Sequence, residues 1–200
     1  MKAVFIVGCG YIGQRVAMLE KARGAEVSAL VRSDESARPL HNAGIETYKG
    51  DLDNPASLGN LPFAGKLLYY FVPPPSEGKT DPRMVSFLST MTASNLPGRI
   101  VLISTSAVYG DCHGEWITEE RPPRPQTDRA LRRLSAEGML TEWGKQQDVD
   151  IVILRVAGIY GPGRLPVQQL QEGRPVLRIK EAPFSNRIHA DDLSHICIAA

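Results

Sequence analysis

Residues Ala3–Val7 (AVFIV) form an unbroken apolar run, and the six residues that follow are Gly8-Cys9-Gly10-Tyr11-Ile12-Gly13. Apolar side chains then recur at helical spacing, at Ile12, Val16 and Leu19, up to Gly24. A buried strand, a glycine-rich turn and an amphipathic helix in this order open a dinucleotide-binding unit. Each glycine has its own task. Gly8 permits the tight turn, Gly10 lets the backbone approach a pyrophosphate, and Gly13 lets the helix pack closely on the strand. The helix start offers free N–H groups and the positive end of its dipole to phosphates. Tyr11 and Ile12, inside the turn, are counted with the cofactor-binding residues.

The alternation continues along the chain. Strands are expected at Glu26–Val31, Glu46–Tyr48, Lys66–Val72, Arg99–Ile103 and Asp150–Arg155, with a short seventh near Val176–Ile179. Helical patterns occupy Ser33–Ala43, the region around Arg83–Ala93, a long stretch from Thr127 or Asp128 to about Lys145, and the residues after Asp191-Asp192. Strands that read as continuous apolar runs between helices indicate a parallel sheet covered on both faces. The predicted fold is α/β, a Rossmann-type doubly wound parallel sheet with strand order 3-2-1-4-5-6-7. At 200 residues the chain suits one domain, spanning 1–200.

Composition excludes several roles. With 23 basic and 22 acidic side chains the net charge is +1, so no global field draws the chain to nucleic acid or to an anionic membrane. No apolar run approaches the ~18–20 residues that cross a bilayer, and the first is too short for a signal peptide core. A cytoplasmic protein is expected. Cys9, Cys112 and Cys197 lie far apart without metal-ligand spacing, which reads as reduced thiols and no metal site. Cys112 and His113 are neighbours in a loop and point apart in most conformations, which disfavours a nucleophile–base pair.

The end of the second strand selects the cofactor. Asp or Glu there would bind the ribose 2′-hydroxyl of NAD. This chain has Arg32, followed by Ser33. A guanidinium pairs with a 2′-phosphate in bidentate fashion, which favours NADP over NAD. The alternatives for Arg32 are a solvated loop charge or a stack on adenine.

Further segments carry a family resemblance. They are Gly50-Asp51-Leu52 with Ser57-Leu58, Ser104-Thr105-Ser106-Ala107-Val108-Tyr109-Gly110, Leu154-Arg155, Ile159-Tyr160-Gly161-Pro162-Gly163, and Arg187-Ile188-His189-Ala190-Asp191-Asp192-Leu193. With the glycine turn, their order and spacing resemble the extended short-chain dehydrogenase/reductases, the NAD-dependent epimerases and dehydratases. The resemblance implies that Asp51 binds the adenine amino group and Leu52 packs on the ring. It places Val72 and Pro73 along the middle of the cofactor and Ile159 near the nicotinamide. Thr105 matches the catalytic Ser or Thr, four residues before Tyr109. For Thr105 the alternative is a hydroxyl that satisfies local backbone at a strand end. Asp191 and Asp192 are read as ties between chain segments.

The chain departs from the family in two places. Val7 stands where the family's usual first glycine sits, so the turn has the spacing of ordinary Rossmann dehydrogenases. More seriously, counting back from Ala136-Glu137 puts Arg129 at the catalytic tyrosine position and Arg133 at the lysine position. Arg133 can hold ribose hydroxyls. Arg129 cannot act as a general base, because a guanidinium with a pKa above ~12 stays protonated. Tyr109, Tyr160 and His113 are the candidate proton carriers. The two arginines share a helix face. Either they grip a phosphate or carboxylate, or they are solvated or paired with Glu115, Glu119 and Glu120.

The functional expectation is an atypical NAD(P)-dependent oxidoreductase or epimerase acting on a small carbonyl or alcohol substrate, a nucleotide sugar by resemblance. The alternative is an inactive NADP-binding sensor. The resemblance also implies a substrate-side C-terminal segment that is short or missing here, and homodimers formed through the long helix.

Overall fold

Successive side chains of a strand point to opposite faces, and in β1 (Ala3–Val7) both directions are apolar. Val4 and Ile6 enter one core, Phe5 and Val7 enter another, and all four are sealed from solvent. Such a strand belongs between two layers. The computed structural model describes residues 2–165, 167–175, 178, 181–182 and 184–200. It places β1 inside a six-stranded sheet with β2 (Glu26–Val31), β3 (Glu46–Lys49), β4 (Leu67–Tyr70), β5 (Arg99–Thr105) and β6 (Asp150–Val156). The order is β3-β2-β1-β4-β5-β6, and every pairing is parallel.

Helices cover both faces, so the fold is the Rossmann-type doubly wound sheet. On the Val4 side lie α1 (Tyr11–Ala22), α2 (Asp34–Asn42) and α6 (Ala190–Ala199), which contribute Val16, Leu40 and Leu193 to the core. On the Phe5 side lie α3 (Pro82–Ser89) and α4 (Asp128–Gln147), which contribute Phe87 and Leu140. Side-chain acceptors start four of these helices, α6 through His189 Nδ1, which accepts from Asp191 N (3.3 Å). Ser33 Oγ accepts from Ser36 N (3.3 Å), Asp81 Oδ1 from Arg83 N (3.1 Å) and Thr127 Oγ1 from Ala130 N (3.2 Å). Between α4 and α6 runs a short helix, α5 (Val167–Gln171). Among the described residues no helix is long and apolar enough to cross a membrane.

The strand order through β6 is as expected from sequence. The seventh strand expected near Val176–Ile179 rests on residues 176, 177 and 179, which lie outside the described residues. Among those described, no seventh strand joins the sheet. Two short strands, β7 (Gly158–Tyr160) and β8 (Arg187–His189), form a separate parallel pair instead. At three residues each they are too short to carry a readable period. The helix expected around Arg83–Ala93 stops at Ser89.

One buried ion pair fastens α4 to the sheet. Glu137 accepts from Arg155 of β6 (Nη2–Oε2, 2.8 Å) and from the hydroxyl of Ser104 in β5. Arg155 Nη1 also donates to the hydroxyl oxygen of Tyr109 (2.9 Å). Removing one member of such a pair leaves an uncompensated charge in a poorly solvated place. We therefore expect Glu137→Ala to lower the unfolding free energy by about 3 kcal/mol in urea denaturation. Arg99→Ala, which removes the half-exposed Arg99–Asp150 pair, should cost under about 1 kcal/mol.

Candidate nucleotide-binding site

From β1 the chain crosses to β2 on one side, while β4 lies on the other. That reversal opens a crevice beyond the carboxyl ends of the strands. A cavity of about 480 Å³ occupies it. Its wall holds the whole turn Gly8–Gly13, Arg32 after β2, Asp51 and Leu52 after β3, Val72 and Pro73 after β4, Arg133 of α4 and Ile159 of β7. The residues that sequence assigned to the cofactor thus meet in one place, with Ser33 the exception. Its hydroxyl is occupied with capping α2, and Ser36, one turn later, is on the wall instead.

The glycine turn fits a pyrophosphate. Gly8 has φ +94°, and a Cβ there would stand 2.8 Å from the backbone nitrogen of Val72. A Cβ on Gly13 would stand 2.7 Å from the Gly8 carbonyl oxygen. Protein packing alone accounts for both. Gly10 differs: a Cβ would meet no protein atom within 4 Å. It borders the cavity, where the missing side chain would leave the backbone open to a phosphate, and its ψ of −142° lies outside the ordinary extended region. No side chain caps α1, which leaves its first N–H groups for an anion. Cys9 also lines the wall, and burial pushes its thiol up to about 12. Iodoacetamide at pH 8 should leave Cys9 unmodified in the folded protein and label it after unfolding, as read by peptide mass spectrometry.

The wall contains cations that the sequence reading did not assign to the cofactor. Arg83 grips Asp53 through two bonds (2.6 and 2.5 Å) and donates to the Pro73 carbonyl (2.8 Å). This ties the turn after β3 to the exit of β4 and holds the Asp53 carboxyl below its ordinary range. Arg164 stacks 4.2 Å from the ring centroid of Tyr11, whose hydroxyl donates to the Pro162 carbonyl (2.9 Å). Arg15 lies 4.0 Å from that ring centroid and pairs with Asp191 (3.1 Å), so Asp191 does tie segments together. The signal for Arg83 and Arg164 is purely tertiary, since neither belongs to a local motif.

At the α4 end of the cavity, Arg133 is buried and donates to the Val72 carbonyl (3.0 Å). Burial lowers its pKa, and the like charge of Arg129 adds to that. Arg129 lies on the same wall. Neither arginine pairs with Glu115, Glu119 or Glu120 among the described residues; Glu115 binds Arg121 instead (2.6 Å). Nearby, burial raises the carboxyl of Asp81 and the hydroxyl of Tyr70.

The two predicted catalytic hydroxyls are not on this wall. Thr105 Oγ1 accepts from Ala107 N (3.2 Å) and caps the single turn Ser106–Tyr109, a local backbone role at the strand end. Tyr109, with Arg155, lines a second cavity of about 540 Å³ beneath the loop at Ile117–Glu119. His113 is exposed beside Asp111, and Tyr160 packs edge-on against His189; neither lines the two cavities.

The sequence model of the NAD dependent epimerase/dehydratase family matches residues 83–194. The chain belongs to this family. Protein YeeZ of Escherichia coli (strain K12) is 30% identical over 177 residues, which is 83% of this chain and 62% of YeeZ. The chain therefore spans less than two thirds of that relative. A functionally unknown conserved protein from Silicibacter pomeroyi superposes with a TM-score of 0.75 at 25% identity, over 100% of this chain and 67% of its own. UDP-glucuronic acid 4-epimerase from Bacillus cereus, solved in complex with NAD, superposes with a TM-score of 0.74 over 98% of this chain and 71% of its own. Its 20% identity carries the fold alone.

The buried carboxyl of Asp81 makes a pH prediction. Its folded pKa lies above the unfolded value of about 3.9. Its contribution to stability is thus full below that value and is lost as pH rises through the folded pKa. Asp81→Asn keeps an acceptor for the α3 cap. It should unfold at a higher urea concentration than the wild type at pH 7, and the advantage should shrink as pH falls toward 4.

Proposed function

We propose that this chain binds NADP(H) in the cavity at the glycine turn and serves an atypical oxidoreductase or epimerase of its family. The observation that carries the cofactor choice is Arg32. It leaves the end of β2 exposed, on the cavity wall, with no carboxylate paired to it among the described residues. Ser36 stands beside it on the wall. A guanidinium and a hydroxyl there suit a 2′-phosphate better than a ribose diol. Asp51 and Leu52 take the adenine, the free N–H groups of α1 take the pyrophosphate, and Arg133 orients the nicotinamide ribose. When bound, the nicotinamide accepts or supplies a hydride. Thr105 and Tyr109 are the hydroxyls we assign to a carbonyl or alcohol substrate, with the proton carried by Tyr109 or water.

A second reading has one observation in its favour. Arg129 stands where the family keeps its proton-transferring tyrosine, and it stays protonated near neutrality. An NADP-binding sensor without turnover fits that substitution. The two readings part in a turnover screen: NADPH oxidation with any carbonyl or nucleotide-sugar compound supports the enzyme, and tight binding without oxidation supports the sensor.

The cofactor proposal is tested by titration. NADPH should bind at least about tenfold more tightly than NADH, and Arg32→Ala should remove most of that preference, in line with about 1.5–3 kcal/mol for a charge-assisted contact. Equal affinity for the two cofactors in the wild type would overturn it.

A further inference from the structure

Four guanidiniums on the cavity wall lack a carboxylate partner among the described residues; Arg133 is buried against the Val72 carbonyl, and the exposed three are Arg32, Arg164 and Arg129. They sit at three places. Arg32 follows β2, Arg164 follows β7 and stacks on Tyr11 of the glycine turn, and Arg129 begins α4. The sheet order sets the direction of the cavity, from β2 past β1 to β4 and the α4 that covers it. A dinucleotide bound along it would bring its anions to the β2 end and to the turn, where Arg32 and Arg164 stand. Its remaining riboside, neutral or cationic with the redox state of the nicotinamide, would bring no anion to the α4 end for Arg129.

No carboxylate pairs with Arg129 among the described residues: Asp53 is held by Arg83, Glu115 by Arg121 and Glu137 by Arg155, and Asp81 Oδ1 accepts from the backbone of α3. Arg129 instead faces the field of Arg133, four residues on, which is unfavourable for both. A fork of donors in an open cavity wall, repelled by its own neighbour, is a poised anion site.

We propose that Arg129 binds the anionic group of the substrate, so that this site takes a carbonyl or alcohol compound bearing a carboxylate or phosphate near its reacting carbon. The inference rests on the dinucleotide reading above, because it is the bound riboside that puts Arg129 beside the reacting carbon. The shared chemistry is a compact oxyanion, and the probes separate its two sources.

The test is calorimetric. Dihydroxyacetone phosphate, 2-oxobutyrate and their neutral counterparts dihydroxyacetone and butanone are titrated into the full chain, with and without saturating NADPH. At least one anionic probe should bind the NADPH-loaded protein about tenfold or more tightly than its neutral counterpart. Which anion binds identifies the source as phosphate or carboxylate. Arg129→Gln should abolish the preference while NADPH affinity stays within about twofold, which also shows that the variant is folded. Arg129→Lys should keep part of it, because charge remains and the fork is lost. Two results overturn the inference: no anion preference in the wild type, or a preference that survives Arg129→Gln. A tenfold loss of NADPH affinity in Arg129→Gln also overturns it, by assigning Arg129 to the cofactor. Failure of the wild type to bind NADPH, with anion binding at Arg129 intact in the absence of cofactor, sinks the dinucleotide reading alone.

Discussion

The closeness of two backbones governs this structure. Gly8 lies so near Val72 that a Cβ would stand 2.8 Å from its nitrogen, and Gly13 lies equally close to the carbonyl of Gly8. These contacts bring the turn after β1 against the exit of β4 and start α1 at the crevice between them. The same β4 exit is held from the far side by arginines, Arg133 on the Val72 carbonyl and Arg83 on the Pro73 carbonyl. A side chain at residue 8 would part the two strand exits, and the cavity walls on both sides would lose their reference. Stability and site geometry therefore rest on the same few atoms.

Electrostatics then gives the cavity a direction. The chain as a whole carries a net charge of only +1, yet the cavity wall has arginines at both ends and at the turn. Some of these are structural. Arg83 is paired and Arg133 is sealed against a carbonyl, while the exposed ones have no carboxylate partner among the described residues. A balanced composition thus conceals a locally cationic site, and only the fold concentrates it.

Legibility in the sequence followed the range of the interaction. The six strands, the glycine turn and the start of α4 at Thr127 depend on neighbours in sequence, and each was readable. Cavity residues carried by local motifs, such as Arg32, Asp51, Leu52 and Val72, were readable for the same reason. Arg83 and Arg164 were not, because their partners lie across the fold at Asp53 and Tyr11. Ser33 was assigned to the cavity from its adjacency to Arg32, but a capping hydroxyl turns to its helix, and Ser36 takes the place on the wall. The strands β7 and β8 escaped notice because three residues show no period.

The sequence by itself determined the fold class, the family and the presence of a dinucleotide turn, since apolar periodicity and turn glycines act over short distances. By resemblance it also implies Arg129 at the position of the family's tyrosine. The tertiary structure decided the rest. It put Thr105 into a cap and Tyr109 onto a second cavity with Arg155, away from the glycine turn. It also left Arg129 on the nucleotide wall without a carboxylate partner among the described residues. Which side chains are occupied and which stay free is a property of long-range packing, and no window of sequence contains it.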